Sequence, residues 1–202
     1  MAALTEEQSM LKDQASAWVQ EQAPVAKFRE LRDSGDPAVF EKTTWEAMVE
    51  MGWTGILIPA RYGGSDLGYL TFGVVLEELG RQLTASPLYA SALVGTSAVL
   101  LAGNEEQQQN LLPRVVDGTG ILTLAVDEGP HHAPARIALE AKARDDGFVL
   151  NGRKTLVVEG GAATTLIVAA RTSGSGTDGI TLFLVGTDAD GVSRSLLRTA
   201  DS

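Results

Sequence analysis

The residues of this chain that could do chemistry lie mainly in its second half, and few are spaced to react with one another. Residues 151–161 read Asn-Gly-Arg-Lys-Thr-Leu-Val-Val-Glu-Gly-Gly. This pattern predicts a hairpin turn, then a strand over 156–158, then a glycine turn that can approach a ligand closely. The strand carries only aliphatic side chains, so it predicts a binding edge without an acid, a base or a nucleophile.

Two polar pairs occur a short distance upstream. His131 and His132 are the two histidines of the chain. Metal ligands on one element need a spacing that places them on one face, and sequence neighbours point apart, so we interpret this pair as part of a loop. Asp127 and Glu128 follow a predicted strand, where acids can orient a ligand or form a turn.

Two further carboxylate pairs lie in helical patterns. Glu77-Glu78 and Glu105-Glu106 are sequence neighbours, which do not face each other on a helix, so we interpret them as solvated helix surface. The glycine runs YGGSDLG and EGG fit neither the dinucleotide-binding nor the P-loop pattern. The residues by themselves therefore predict no catalytic group and no metal site.

Composition excludes several classes of protein. The 202 residues include no cysteine, which rules out disulfides, thiolate metal sites and a thiol nucleophile. The formal net charge of −10 argues against nucleic-acid binding through a basic face and against a polybasic membrane patch. The N-terminus lacks a signal-peptide pattern, and no apolar run is long enough to span a bilayer. We therefore predict a cytoplasmic protein without membrane segments.

The first part of the chain has the signals of helices. Residues 1–118 carry 8 basic and 16 acidic residues, against 8 and 10 over 119–202, which indicates a boundary near residue 118. A short extended segment is predicted over 53–59. The helix signals are a capping box at Thr5 and Gln8, a start at Asp36-Pro37 with an end at Gly52, a helix over 71–81, a helix from Pro87 to Gly103, and a cap at Asn104.

After Gly118 the hydrophobic period changes to two. Residues 137–144 alternate, Asp145-Asp146-Gly147 predicts a hairpin turn, and further strands are predicted over 165–170, 180–185 and 192–197. The predicted fold class is α+β: an N-terminal all-α helical domain over 1–118, followed by an antiparallel β-barrel or sandwich domain over 119–202.

Four segments in collinear order resemble the flavin-dependent acyl-CoA dehydrogenase family. They are MGWTGILIPARYGGSDLGYLTFGVVLEELGR, AGNEEQQQNLLPRVVDG, DDGFVLNGRKT with the following EGG, and DGVSRSLLRTADS. The resemblance implies a helical domain, a middle β domain and a C-terminal four-helix bundle, with this chain ending near the close of the second part. It also implies an acyl-CoA substrate, FAD, an oligomer of such subunits, and an electron-transfer flavoprotein as electron acceptor. The family's base is a glutamate of the third part, so no catalytic residue is expected in this chain.

The resemblance also places a flavin site whose residue types differ from the family's. The family has a Thr-Glu-Pro-Gly-x-Gly-Ser-Asp loop and a Trp-Ile-Thr/Ser strand, which provide donors to the flavin and an indole packed against it. Here Asp127 replaces the threonine, Leu156 the tryptophan and Val158 the hydroxyl residue, while Glu128 matches. By position the expected flavin-binding residues are Leu124, Val126, Asp127, Leu156 and Val158.

These replacements predict a degenerate flavin site, since each lost hydrogen bond to a buried group costs about 1–3 kcal/mol. Three interpretations stay open at this point. The chain supplies two walls of an acyl-CoA α,β-desaturation site; or it is a non-catalytic partner subunit of a heteromeric acyl-CoA dehydrogenase, for example in steroid or fatty acyl-CoA degradation; or it is a stand-alone binding or scaffold module.

Overall fold

A helical region precedes a five-stranded mixed sheet in the computed structural model, which describes residues 4–34, 40–145 and 147–197. The α-helices are α1 (Glu6–Gln22), α2 (Val25–Ser34), α3 (Lys42–Glu50), α4 (Gly68–Arg81), α5 (Thr96–Ala102) and α6 (Glu105–Val116), and a π-helical segment, Tyr89–Gly95, leads directly into α5. The strands are β1 (Leu122–Ala125), β2 (Glu140–Arg144), β3 (Gly147–Asn151), β4 (Thr165–Arg171) and β5 (Ile180–Gly186). No helix within the described ranges is long and apolar enough to cross a membrane.

The predicted helix caps are confirmed. Thr5 Oγ1 accepts from the Gln8 N–H at 3.2 Å, and Gln8 Oε1 accepts from the Thr5 N–H at 3.0 Å. Asn104 and Gln107 form the same reciprocal pair at the start of α6, with both distances 2.9 Å. Gly52 follows α3 in the left-handed region with φ +73°. Each signal involves only three or four neighbouring residues, because it satisfies the unpaired backbone groups at a helix end.

Other predictions for the helical region are wrong or lie outside the described residues. The start at Asp36-Pro37 lies outside them, and α2 is a helix that the sequence analysis did not predict. Residues 53–59 are not extended: Trp53–Gly55 is a 3₁₀ turn, and both Trp53 and Ile58 are buried. The segment coils because its carbonyl groups accept hydrogen bonds from the glycine-rich loop that follows, as in the 2.9 Å bond from the Ser65 N–H to the Gly55 oxygen.

The sheet is mixed rather than antiparallel, and within the described residues it is not clearly a closed barrel. β1 pairs with β4 in parallel, Leu122 opposite Thr165 and Ala125 opposite Val168. The β2–β3 and β4–β5 pairs are antiparallel. β2 also pairs with β4 in parallel, Glu140 opposite Arg171. The alternating pattern shows which side chains share a face but not which way a neighbouring strand runs, so both parallel pairs were missed. Residues 192–197, predicted as a strand, pair with no other strand of the described chain.

The first strand lies directly against the π-helical segment. Ser91 Oγ accepts from the Leu122 N–H at 3.0 Å and donates to the Gly120 oxygen at 3.4 Å. A Cβ atom on Gly95 would lie only 2.4 Å from the Leu122 Cβ. Leu122 and Ile167 of the sheet belong to the same buried cluster as Trp53 of the helical region. One continuous core therefore fixes the sheet on the helices.

We expect Gly95→Ala to lower the free energy of unfolding by about 1–3 kcal/mol, because the added methyl group overpacks the contact with Leu122. Gly73→Ala is the matched control, since a Cβ at this exposed helical glycine meets no atom within 4 Å. The control should raise stability by about 0.5–1 kcal/mol. Urea unfolding of both variants measures the difference, and equal stabilities would contradict the close contact.

Candidate functional site

The two segments that the sequence analysis assigns to the flavin edge lie side by side. The Thr155 N–H donates to the Asp127 oxygen at 2.8 Å, and Thr123 Oγ1 donates to the Val158 oxygen at 2.6 Å. Residues 123–127 and 155–158 therefore run past each other in opposite directions. The structure brings together two stretches that are about thirty residues apart in sequence.

The predicted site residues differ in exposure. Leu124 lies in β1, half-buried against the helical core, and Val126 and Asp127 follow it, partly exposed. Leu156 and Val158 are 48% and 53% exposed. The two residues that replace the family's indole and hydroxyl thus present bare aliphatic surface.

The predicted strand over 156–158 is wrong. Leu156 and Glu159 have left-handed backbone, φ +52° and +53°, and the Gly160 N–H donates to the Val157 oxygen at 3.0 Å in a tight turn. Val157 packs on the smaller core cluster, while its two neighbours face outward. The composition favours a strand, but the hydroxyl of Thr123 bonds to the Val158 carbonyl, which in a strand would accept from the backbone of a neighbouring strand. Left-handed backbone at residues other than glycine costs about 1–2 kcal/mol each, so surrounding contacts must hold this loop.

A buried ion pair supplies one of those contacts. Lys154 Nζ donates to Glu128 Oε1 at 2.7 Å and to the Val126 oxygen at 2.9 Å. The Glu128 carboxylate also accepts from the N–H groups of Ala138 and Leu139, at 2.8 and 3.0 Å. Burial by itself would raise the pKa of Glu128, but the bonds from Lys154 and the two N–H groups outweigh it and lower that pKa. The carboxylate of Glu128 is therefore anionic at neutral pH, and its hydrogen bonds join three segments around the site.

Asp127 is engaged within its own loop. Its Oδ2 lies 3.0 Å from His132 Nδ1, and its Oδ1 accepts from the Ala133 N–H at 3.1 Å. The hydrogen bond with His132 holds the pKa of Asp127 below its usual value, so the carboxylate is anionic at neutral pH. Asp127 thus orders the loop, one of the two roles that the sequence left open. Among the described residues, no group of three His, Asp or Glu side chains could hold a metal ion.

These side chains do not fit a flavin as hydrogen-bonding partners. Leu156 and Val158 have no donor, and the carboxylate of Asp127 is already bonded. A fixed negative charge beside a flavin that becomes anionic on reduction is unfavourable in a site of low dielectric constant. Any hydrogen bond from Leu156 or Val158 to the ring would have to use a backbone group.

Glu159 is a functional candidate that the sequence analysis passed over. Its backbone oxygen accepts from the N–H groups of Ala162 and Ala163, at 3.0 and 3.2 Å, which closes a turn over 159–163. Burial raises the pKa of its carboxyl to about 7. Its side chain makes no hydrogen bond or ion pair with the residues that the structure describes. Only the position next to Val158 could have signalled it, since burial is not visible in the local sequence.

The raised pKa of Glu159 predicts a pH-dependent stability. Below pH 4.5 the carboxyl is protonated in both states; between pH 4.5 and 7 the unfolded state ionises first, so folding loses stability as pH rises. Glu159→Gln removes this penalty. We compare the free energy of unfolding of the variant with that of wild type at the same pH. We expect this difference to be on the order of 2 kcal/mol more favourable to the variant at pH 8 than at pH 4. Urea unfolding across pH is the measurement, with the exposed Glu21→Gln as control, and parallel profiles for wild type and Glu159→Gln would contradict it.

The Lys154–Glu128 pair predicts a large effect of removing one partner. Lys154→Met leaves a partly buried carboxylate without its cation, which should cost about 2–4 kcal/mol of stability. The control is Lys142→Met, whose ammonium lies 3.4 Å from Glu140 and is 77% exposed. That change should cost less than about 0.5 kcal/mol, because exposed pairs contribute little. Thermal or urea unfolding that shows equal losses would contradict the role of the buried pair.

Comparison with known proteins identifies both parts of the fold. The model of the acyl-CoA dehydrogenase N-terminal domain matches residues 5–119, and that of the middle domain matches residues 128–201. A mitochondrial 2-methylacyl-CoA dehydrogenase of Solanum tuberosum is 31% identical over 94% of this chain and 47% of its own length.

Two solved structures have similar folds. The ChsE4–ChsE5 complex of Mycobacterium tuberculosis matches 98% of this chain and 52% of the matched chain, with a TM-score of 0.84 and 28% identity. The Tcur3481–Tcur3483 steroid ACAD, in a G363A variant, matches 92% of this chain and 49% of the matched chain, with a TM-score of 0.80 and 33% identity. The chain spans about half the length of the relatives it matches. With family models over most of its residues, this chain belongs to the acyl-CoA dehydrogenase family.

Proposed function

We propose that this chain forms two walls of an acyl-CoA dehydrogenase cleft, the helical wall from residues 1–118 and the β wall from residues 119–202. The family reaction is the FAD-dependent α,β-desaturation of an acyl-CoA thioester. The observation that carries the proposal is the side-by-side arrangement of residues 123–127 and 155–158, at the positions where the resemblance expects the flavin edge. When bound, FAD would supply the hydride acceptor of that reaction, and a glutamate outside residues 1–202 would supply the base for the α-proton.

A second candidate is favoured by the residue types at that edge. The exposed Leu156 and Val158 and the anionic Asp127 suit a subunit that has lost its own flavin contacts and supports the site of another. Of the two similar structures, ChsE4–ChsE5 is named as a complex, and Tcur3481–Tcur3483 is named as a steroid ACAD. We extend this to the chain as a proposal: a non-catalytic partner in a hetero-oligomer that acts on steroid or fatty acyl-CoA thioesters, with an electron-transfer flavoprotein as electron acceptor.

Production with and without a second subunit separates the two candidates. The chain is purified alone and after co-expression with an acyl-CoA dehydrogenase chain that has its own C-terminal helical domain. A flavin absorbance band in the chain alone supports the first candidate. A colourless chain that acquires flavin and acyl-CoA-dependent flavin bleaching only in the complex supports the second. A colourless monomer that binds neither FAD, acyl-CoA nor the second chain would contradict both.

Restoring the family's residue types should restore flavin binding. Leu156→Trp combined with Val158→Thr adds an indole and a hydroxyl donor at the edge. We expect FAD affinity to rise about tenfold or more, the equivalent of one recovered hydrogen bond. Leu101→Trp with Val149→Thr is the control, since these exposed residues lie on α5 and β3, outside the predicted edge. Equal FAD affinities in the two double variants, measured by fluorescence titration, would show that these side chains do not limit flavin binding.

A further inference from the structure

A single arginine closes the turn over residues 159–163, next to the predicted flavin edge. Arg194 Nη1 lies 2.9 Å from the Gly160 oxygen and 3.0 Å from the oxygens of Gly161 and Ala163. The three carbonyl groups converge on one guanidinium nitrogen, which carries two hydrogens, so at least one hydrogen is shared. Without a cation at this point, three carbonyl dipoles would face one another at their negative ends.

The turn needs this closure because no strand pairs with it. The residues on either side of the turn are fixed by side-chain hydrogen bonds to β1 and to the residue before it. Thr123 Oγ1 donates to the Val158 oxygen, and Thr164 Oγ1 accepts from the Ile121 N–H at 3.0 Å. Between these points lies Glu159 with its left-handed backbone and buried carboxyl. Within the turn, the oxygens of Gly160, Gly161 and Ala163 accept hydrogen bonds from Arg194, a residue outside the turn.

The same arginine fixes the segment that leaves the sheet. Residues 193–197 follow β5 in irregular conformation and are exposed. Among the hydrogen bonds between described residues, those of Arg194 are the ones that join 193–197 to the rest of the protein. The segment and the turn are thus tied to each other through one side chain.

We propose that Arg194 is a positioning residue that couples the segment 193–197 to the predicted flavin edge. It forms no hydrogen bond with Leu156 or Val158, but it fixes the turn into which Val158 leads. Movement of the segment would release the turn and displace the edge. The proposal rests on the proposed function for the identity of the edge, while the coupling itself is a property of the fold.

Hydrogen exchange measures the coupling directly. In Arg194→Gln we expect the amides of 156–163 to exchange about tenfold faster or more than in wild type, with β4 unchanged. Arg194→Lys should restore slow exchange, because an ammonium group offers three donors to three carbonyls. Arg153→Gln is the control, an exposed arginine of the same loop with no hydrogen bond to a described residue. Unchanged exchange in Arg194→Gln overturns the proposal, and so does an equal rise in β4, which would indicate general destabilisation.

A ligand measurement tests whether the coupling positions the edge. In the Leu156→Trp, Val158→Thr background, Arg194→Gln should reverse most of the gain in FAD affinity while the melting temperature stays near that of Arg153→Gln. Faster exchange without loss of affinity overturns the positioning role. A background that binds no FAD counts against the proposed function, and the exchange experiment still decides whether Arg194 ties the segment to the turn.

Discussion

The close contact between the first strand and the π-helical segment determines where every candidate residue lies. Gly95 leaves no room for a side chain against Leu122, and the buried hydroxyl of Ser91 bonds the backbone on either side of Ile121. β1 can therefore occupy only one position on the helices. Residues 126–128 follow directly from β1, so their position is fixed as well. β4 pairs in parallel with β1, and this pairing sets the position of β4.

From that fixed strand outward, the site is held by side chains rather than by a sheet ladder. The buried Lys154 ties its loop to Val126 and Glu128, Thr123 holds Val158, and Arg194 closes the following turn. Such contacts can sustain left-handed backbone at Leu156 and Glu159, which a strand could not contain. The result is a well-defined edge that exposes the aliphatic side chains of Leu156 and Val158. The nearby carboxylates are either hydrogen-bonded within the protein, as in Asp127 and Glu128, or largely buried, as in Glu159.

The parts of this architecture that the sequence predicts are those encoded within a few residues. The caps at Thr5 and Asn104 and the glycine after α3 need only their neighbours, and β2 and β3 form an antiparallel pair as expected. The loop over 156–158 has the composition of a strand, and its conformation depends on distant contacts such as the bond from Thr123 to the Val158 oxygen and the ion pair of Lys154 with Glu128. The Glu128–Lys154 pair spans 26 residues and follows no periodicity. The parallel pairing of β1 likewise depends on packing against the helices, which alternation does not encode.

The central claim combines family membership with residue types: we propose that the chain forms two walls of the family's cleft, and that the predicted flavin edge lacks the family's indole and hydroxyl at Leu156 and Val158. The most direct test is a titration of the unaltered, purified chain with FAD, followed by fluorescence quenching and by calorimetry. The account predicts no saturable binding at micromolar FAD in the absence of a second subunit. Stoichiometric, tight binding by the chain alone would contradict the degenerate edge and favour the first candidate function, because the groups that remain at the edge would then suffice without the hydroxyl and the indole.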